Sequence, residues 1–389
     1  MSAADPHGSS IWHVDRTARV RELVSGDPGM ERALVLVREN GRNCGAVAIE
    51  GTAAPESDPA VAAVPSAPRR GWREGAGATV PATVVICTTG RSDLLAASVK
   101  AVLAQDHRDY RVVVVDNAPT TGLARTALKG IDDERLTMVN ASRPGLSRAR
   151  NRGVLAATGE VVAFTDDDAI VDPHWLTALV DPFTASALVG ATTGIVLPLE
   201  LAHAPQRWFE SRGGFPKDFT PRVWAKGRIP DGVRGLGEAG EGGPLYPVAT
   251  ARVGAGVCMA LRRDVLMEVG PFDPSLGAGT PTRGGEDLDM FARVLAHGDV
   301  IVHTPDALVH HRHRVDHEGL DAQVRGNGSG MSALLTKAVL ARPSTALTLA
   351  SRAPAVAARL RPGSARVAGT DDDVPSGLTR SEVKGFLEG

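Results

Sequence analysis

The chain is poor in cysteine: its 389 residues hold three, Cys44, Cys87 and Cys258. They are scattered, with no spacing suited to a metal or a disulfide framework, which fits a reducing compartment. Cys87 and Cys258 sit in apolar runs, where a small buried hydrophobe is the ordinary reading. An excess of one charge is also missing. The formal net charge is only -2, so nothing calls for nucleic acid or an anionic membrane as partner. No stretch approaches the roughly 18 uninterrupted apolar residues of a membrane span, and the N-terminus lacks a basic-then-apolar leader pattern. The expectation is a cytoplasmic chain, compatible with docking at a membrane surface through a partner. Two nucleotide signatures are absent as well. No Gly-x-Gly-x-x-Gly follows the first strand of the main domain and no Walker loop occurs, so nicotinamide and P-loop chemistry lose their main support.

What remains is an ordinary globular composition, 43% hydrophobic and 23% charged, in a chain long enough for one large domain with extensions. The pattern predicts a short helix over 11–25. Apolar runs at 33–38 and 46–50 flank Glu39-Asn40-Gly41-Arg42, and Asn-Gly between such runs is a strong hairpin signal. This N-terminal extension, 1–50, is followed by an Ala-, Pro- and Gly-rich stretch, 51–79, read as a linker. From 80 to 335 short apolar strands alternate with helices: strands at 83–88, 111–115, 136–139 and 161–164, helices at 92–105, 122–129 and 147–157. That interleaving implies an α/β fold, a mostly parallel buried sheet flanked by helices. The second half is less regular, with strands at 190–197, 257–261 and 299–302, and helices at 205–212 and 284–296. A long Gly- and Pro-rich loop spans 213–247. A helical stretch over 316–341 is interrupted by Gly326, Gly328 and Gly330, and a helical, low-complexity tail occupies 336–389.

Five constellations bear chemistry. Asp166-Asp167-Asp168 comes directly after a strand, where open parallel sheets bind ligands. Neighbouring carboxylates repel by about 4 kcal/mol per pair at ~4 Å and an effective dielectric of about 20. A divalent cation removes that repulsion; a solvated turn capping the helix near Pro173 is the competing reading. Asp116 ends the second strand, placed to accept from a base or ribose hydroxyl, or simply to close an Asx turn with Asn117-Ala118-Pro119. In the run 144–153, Arg148 and Arg152 share a helix face and suit a phosphate or carboxylate, whereas Arg150 points elsewhere; a solvated basic face is the bland alternative. Gly284-Gly285-Glu286-Asp287 opens an amphipathic helix. Acids there are commonly dipole partners, but the paired glycines suit a loop presenting a carboxylate to a ligand. In His310-His311-Arg312-His313-Arg314, alternation puts His311 and His313 on one face, although clustered histidines are often plain surface.

Taken together, these segments resemble a family 2 glycosyltransferase of the GT-A fold. The likeness rests on 84–91, 112–117, 145–153 with its Ala-Arg-Asn-Arg-Gly core, 162–168, Arg262-Arg263-Asp264 with Gly270-Pro271-Phe272-Asp273, and 284–289. It covers about 80–335. The subgroup it approaches is an actinobacterial type that shares an N-terminal hairpin extension and a His-Arg-His-Arg segment. Pro271 departs from the family's commoner glycine, and Val257-Cys258 from its commoner Ala-Asn. The resemblance implies an inverting transfer from a nucleoside-diphosphate sugar to the hydroxyl of a small-molecule or glycan acceptor, with Mn2+ or Mg2+ as cofactor. It implies that Thr88, Arg91, Asp116 and Arg152 line the nucleotide and that Asp166 holds the ribose. Asp168 would bind the metal with His311 or His313. Asp287 would be the general base and Glu286 its support; Asp167 is given no role. The low aromatic content (4%) favours a small acceptor over a long polymer, and a buried helix face is the plainer reading of Trp208 and Phe209. The rivals are a nucleotidyltransferase, for which Thr88-Thr89-Gly90-Arg91 is a poor phosphate loop, and a catalytically silent binding module.

Overall fold

A computed structural model describes residues 8–50, 54–359 and 374–389. It contains two sheets. The parallel half of the larger is built from β5 (Ala82–Thr88), β6 (Tyr110–Asp116), β7 (Leu136–Asn140) and β8 (Val161–Asp166), with β5 paired between β6 and β8. These strands read as unbroken apolar runs because both faces are covered. Alternation divides them cleanly between two cores. Val84, Ile86, Val112, Val114 and Ala163 enter one; Val85, Val113, Val115, Val162 and Phe164 enter the other.

The second half mixes directions. Strand β13 (Met259–Arg262) lies antiparallel to both β8 and β10 (Val189–Pro198), while β10 runs parallel to β14 (Val300–His311). Short β11 (Arg222–Trp224) and β12 (Glu238–Ala239) extend the edge, so the long 213–247 loop carries some regular structure. The full strand order is β12-β11-β14-β10-β13-β8-β5-β6-β7. The segment expected as a strand over 299–302 is instead the twelve-residue β14. Its pairing with β10 jumps from Thr193↔His303 to Ile195↔Leu308, and that irregularity at Thr304-Pro305-Asp306 masks the strand's continuation in the sequence. β9 (Ala169–Val171) turns back just after the aspartates and pairs antiparallel with the far end of β14, Ala169 opposite His311.

The N-terminal residues form the second sheet. The helix expected over 11–25 is absent: β1 (Ser9–Asp15) and β2 (Val20–Ser25) form an antiparallel pair. Ile11, Trp12 and Val14 are buried, while β1 also pairs in parallel with β3 (Arg32–Glu39). Tertiary pairing overrides a weak helical periodicity. The hairpin of β3 with β4 (Arg42–Glu50) turns where expected, which gives the order β2-β1-β3-β4. Asn40 and Gly41 both have positive φ, 52° and 76°, the requirement of a tight hairpin turn that Asn-Gly meets at least cost. In the Ala/Pro-rich stretch, Val61 and Val64 pack on this sheet and Trp72 on the large core.

Two helices close over the carboxyl edge of the large sheet. Glu286–His297 opens from Gly285, and His317–Ala341 runs through Gly326, Gly328 and Gly330 without interruption. The glycines are buried rather than breaking: a Cβ on Gly285 would stand 2.8 Å from the Gly330 carbonyl oxygen. Small residues let the loop before the first helix lie directly on the backbone of the second. Helices Thr345–Arg359 and Gly377–Glu388 complete the described chain. No helix among the described residues is long and apolar enough to cross a membrane.

Candidate active site

The carboxyl ends of β5, β6 and β8, the β8–β9 turn and the end of β14 converge with the start of helix Glu286–His297. Register brings the acids and histidine together. Because β9 pairs with β14 and the Arg312 amide donates to the Asp168 carbonyl at 3.0 Å, His311 arrives beside the aspartates. Ligand atoms of Asp166, Asp168 and His311 lie within 4.8 Å of one another. His311 Nε2 is 3.2 Å from Asp168 Oδ1. Burial works against charge on both, yet each holds the other ionised. The imidazole is pushed above its ordinary range by Asp168, and the Asp168 carboxyl is held below its own by His311. Burial raises Asp166 instead, with the neighbouring Asp168 adding to it, against the pull of Arg150. Two carboxylates and an imidazole are a donor set that fits Mn2+ or Mg2+.

Asp167 is turned to the other side of the turn. It accepts from Thr88 Oγ1, and its carbonyl accepts from Ser92 Oγ at 2.8 Å and Ser98 Oγ at 3.2 Å. Burial pushes its carboxyl up to about 6. It ties the acidic turn to the end of β5 and to the helix beyond it.

A second group faces the first. Arg150 is buried, its guanidinium near Phe164 and Phe272 at 5.9 and 5.6 Å from the ring centroids. It donates to Glu286 Oε1 at 2.9 Å and stands 3.8 Å from Asp166. Burial, then the charge of Asp287, raises the Glu286 carboxyl to about 7. Asp287 is half-buried, its oxygens accepting from the Gly256 and Leu288 amides at 2.8 Å each.

The nucleotide-side candidates separate. Asp116 is buried and accepts from the Ala118 amide at 2.9 Å, the Asx turn anticipated for it. Asn117 bonds the Ala141 and Arg143 carbonyls and the Gly145 amide, fixing the loop that leads into helix Leu146–Ala156. Arg91 and Arg152 are exposed and do not join the acidic cluster. His313 does not join it either: its Nε2 lies 2.8 Å from Glu210. Sequence reasoning missed Arg150, setting it aside because it did not share the face of Arg148 and Arg152. The face it does share is the buried one, with Ser147, Ala149 and Gly153, and those small neighbours were the available signal.

A parallel half-sheet continued by a mixed half, with clustered acids at the junction, is the architecture of the GT-A fold. The family model for glycosyl transferase family 2 matches residues 83–233. The succinoglycan biosynthesis protein ExoM of Rhizobium meliloti is 30% identical over 60% of this chain and 67% of its own length. The glucosyl-dolichyl phosphate glucuronosyltransferase of Haloferax volcanii is 29% identical over 59% of this chain and 68% of its own. Among solved structures, the mannosyltransferase PcManGT from Pyrobaculum calidifontis, in complex with GDP-Man and Mn2+, superposes with a TM-score of 0.50 at 19% identity, covering 82% of this chain and 89% of that one. The chain belongs to glycosyl transferase family 2. It is a glycosyltransferase, which sets aside the nucleotidyltransferase and silent-module readings.

Proposed function

We propose that this chain transfers a sugar, with inversion, from a nucleoside-diphosphate donor to the hydroxyl of a small-molecule or glycan acceptor, in a divalent-cation-dependent reaction. The observation that carries the proposal is the juxtaposition of Asp166, Asp168 and His311 with the Arg150–Glu286–Asp287 group beside them. The Mn2+ and GDP-Man bound by the Pyrobaculum protein support the choice of ligands.

In this reading Thr88 and Asp116 border the nucleoside with Arg91 close by, Arg152 lies near the base or phosphate, and Asp166 takes the ribose. Asp168 and His311 hold the cation, which when bound offsets the charge growing on the departing diphosphate. The acceptor oxygen forms a bond to the anomeric carbon as the bond to the diphosphate oxygen breaks on the opposite face. Asp287 takes the hydroxyl proton. The Gly256 and Leu288 amides fix its carboxylate, and Glu286, anchored by Arg150, fixes the backbone that presents it. The reading is tested with Asp287→Asn and Asp168→Ala in donor-hydrolysis and transfer assays, with product anomers resolved by NMR. Near-wild-type turnover in either variant removes that residue from its role, and retained anomeric configuration removes the single displacement.

A further inference from the structure

Behind His311 lies a run of polar groups that the transfer reaction does not use. His311 Nδ1 is 3.4 Å from His313 Nδ1. His313 Nε2 is 2.8 Å from Glu210 Oε1, and Lys217 Nζ is 2.7 Å from Glu210 Oε2. Both rings are buried, His313 with 1% of its side chain exposed. Phe215 meets the His311 ring edge-on at 5.3 Å, and Phe209 meets His313 at 4.8 Å. Gln206 holds the His313 carbonyl at 3.4 Å from the same helix, Ala204–Ser211, that carries Glu210.

The run has one consistent direction. Glu210 faces Lys217 Nζ with one carboxylate oxygen and His313 Nε2 with the other, so its carboxylate is the acceptor at the end of the run. His313 then donates from Nε2, which leaves Nδ1 as its acceptor. His311 must fill that acceptor from its own Nδ1–H. Its Nε2 is the nitrogen left to face Asp168.

We propose that Glu210 and His313 are positioning residues for the metal centre: they fix His311 in the tautomer and ring orientation that present Nε2 to a divalent cation. The inference rests on the cation site of the proposed function. Partners of this kind on a ligating imidazole are general in metal sites, and their loss costs about 10–100-fold in affinity. It also gives His313 a place, because both its ring nitrogens are engaged inside the chain and none is left for the metal. Glu210 ties the site to helix Ala204–Ser211, so the metal wall and this helix are set together.

The test is binding of Mn2+ alone to the full chain, followed by electron paramagnetic resonance and calorimetry, with Asp168→Ala as the control. Glu210→Ala and His313→Phe are expected to bind Mn2+ about 10–100-fold more weakly. His313→Gln, which retains a donor and an acceptor, is expected to recover part of that loss. In the Mg2+ form, proton–nitrogen correlation spectra of the histidines should place the His311 proton on Nδ1. A purely structural role for Glu210 would lower thermal stability without moving affinity or tautomer. Wild-type Mn2+ affinity in folded Glu210→Ala and His313→Phe, with affinity lost in Asp168→Ala, overturns the positioning role and leaves the metal site standing. Unchanged affinity in Asp168→Ala, or no Mn2+ binding by the wild type, overturns the metal site and the inference together. If Glu210→Ala does not fold, the near-isosteric Glu210→Gln and the wild-type spectrum decide, a His311 proton on Nε2 counting against the proposal.

Discussion

The two walls of the site solve one electrostatic problem in opposite ways. On one, Glu286 is held by Arg150, a cation that does not lose its proton at any ordinary pH. On the other, Asp168 is held by His311, whose proton can leave. Arg150 keeps its charge through a reaction cycle. The second wall can exchange a proton for a metal ion, since an imidazole must be neutral to ligate. A buried ion pair that must stay uses arginine, and one that must open uses histidine.

The comparison is broken most severely at the two acids themselves. Asp287→Asn should lower kcat by about 10²–10⁴-fold if Asp287 takes the proton, and Asp168→Ala by about 10²–10³-fold through lost charge stabilisation. Only the latter should also lose Mn2+ binding. The next effect is on stability. Arg150→Met leaves Glu286 buried without its cation and should cost about 3–5 kcal/mol in urea unfolding. Arg150→Met with Glu286→Leu should recover most of it, and a double variant as unstable as the single one would show that the pair is not the source.

Acidity separates the walls more gently. His311 is raised above its ordinary 6.5, so protons compete with Mn2+ as pH falls through that raised value. Affinity should drop up to about tenfold per pH unit below it. Without metal, the His311 share of the ion pair stabilises the fold below pH 6.5 and is lost as pH rises through its folded value. The Asp168 share is present above 3.8 and is lost as pH falls through its lowered value. Glu286, raised from 4.5 to about 7, gives the opposite slope to an ordinary paired acid. Its neutral form is favoured in the fold, so its contribution declines as pH climbs between those values. The smallest effect should come from Arg314, 3.9 Å from Asp168 but with 54% of its side chain exposed. Arg314→Ala should change stability by less than about 1 kcal/mol. A larger loss would mean that burial is not what distinguishes it from Arg150.

The walls were also unequally legible. The acids could be found from sequence because β5, β6 and β8 are unbroken apolar runs, and residues just past the end of such a run stand at the sheet's ligand-binding edge. Asn40-Gly41 likewise announced its own turn. Arg150 was passed over, because helical spacing gives a face but not which face is buried, and only its small neighbours Ser147, Ala149 and Gly153 marked that face. The His311 wall depends on β9 folding back to pair with β14, Ala169 against His311, a contact between distant parts of the chain that no local pattern encodes. β14 itself was foreshortened by the irregularity at Thr304-Pro305-Asp306, and β1 and β2 read as a helix because what makes them strands is the pairing of β1 with β2 on one side and β3 on the other. Gly326, Gly328 and Gly330 looked like breaks for the opposite reason: a glycine's cost is local, and the close approaches that justify it, of Arg283 to Gly326, of the Glu382 backbone to Gly328 and of Gly284 and Gly285 to Gly330, are not.

That same irregular stretch of β14 bears on how portable the catalytic fold is. Asp306 accepts from Arg70 in a forked pair at 2.6 and 2.7 Å and from the Asn43 amide at 3.2 Å. Arg38 meets Asp172 at 2.6 Å, and His13 meets His310 at 2.9 Å. Each of these partners, from His13 to Arg70, precedes the family-matched region. A chain begun at residue 83 would inherit two carboxylates without their cations and a histidine without its neighbour, all on or beside the strands that deliver His311. The N-terminal sheet is therefore not an ornament to be spliced off or swapped among relatives. It is bonded to the back of the metal wall, and grafting it elsewhere would require carrying Asp172, Asp306 and His310 with it.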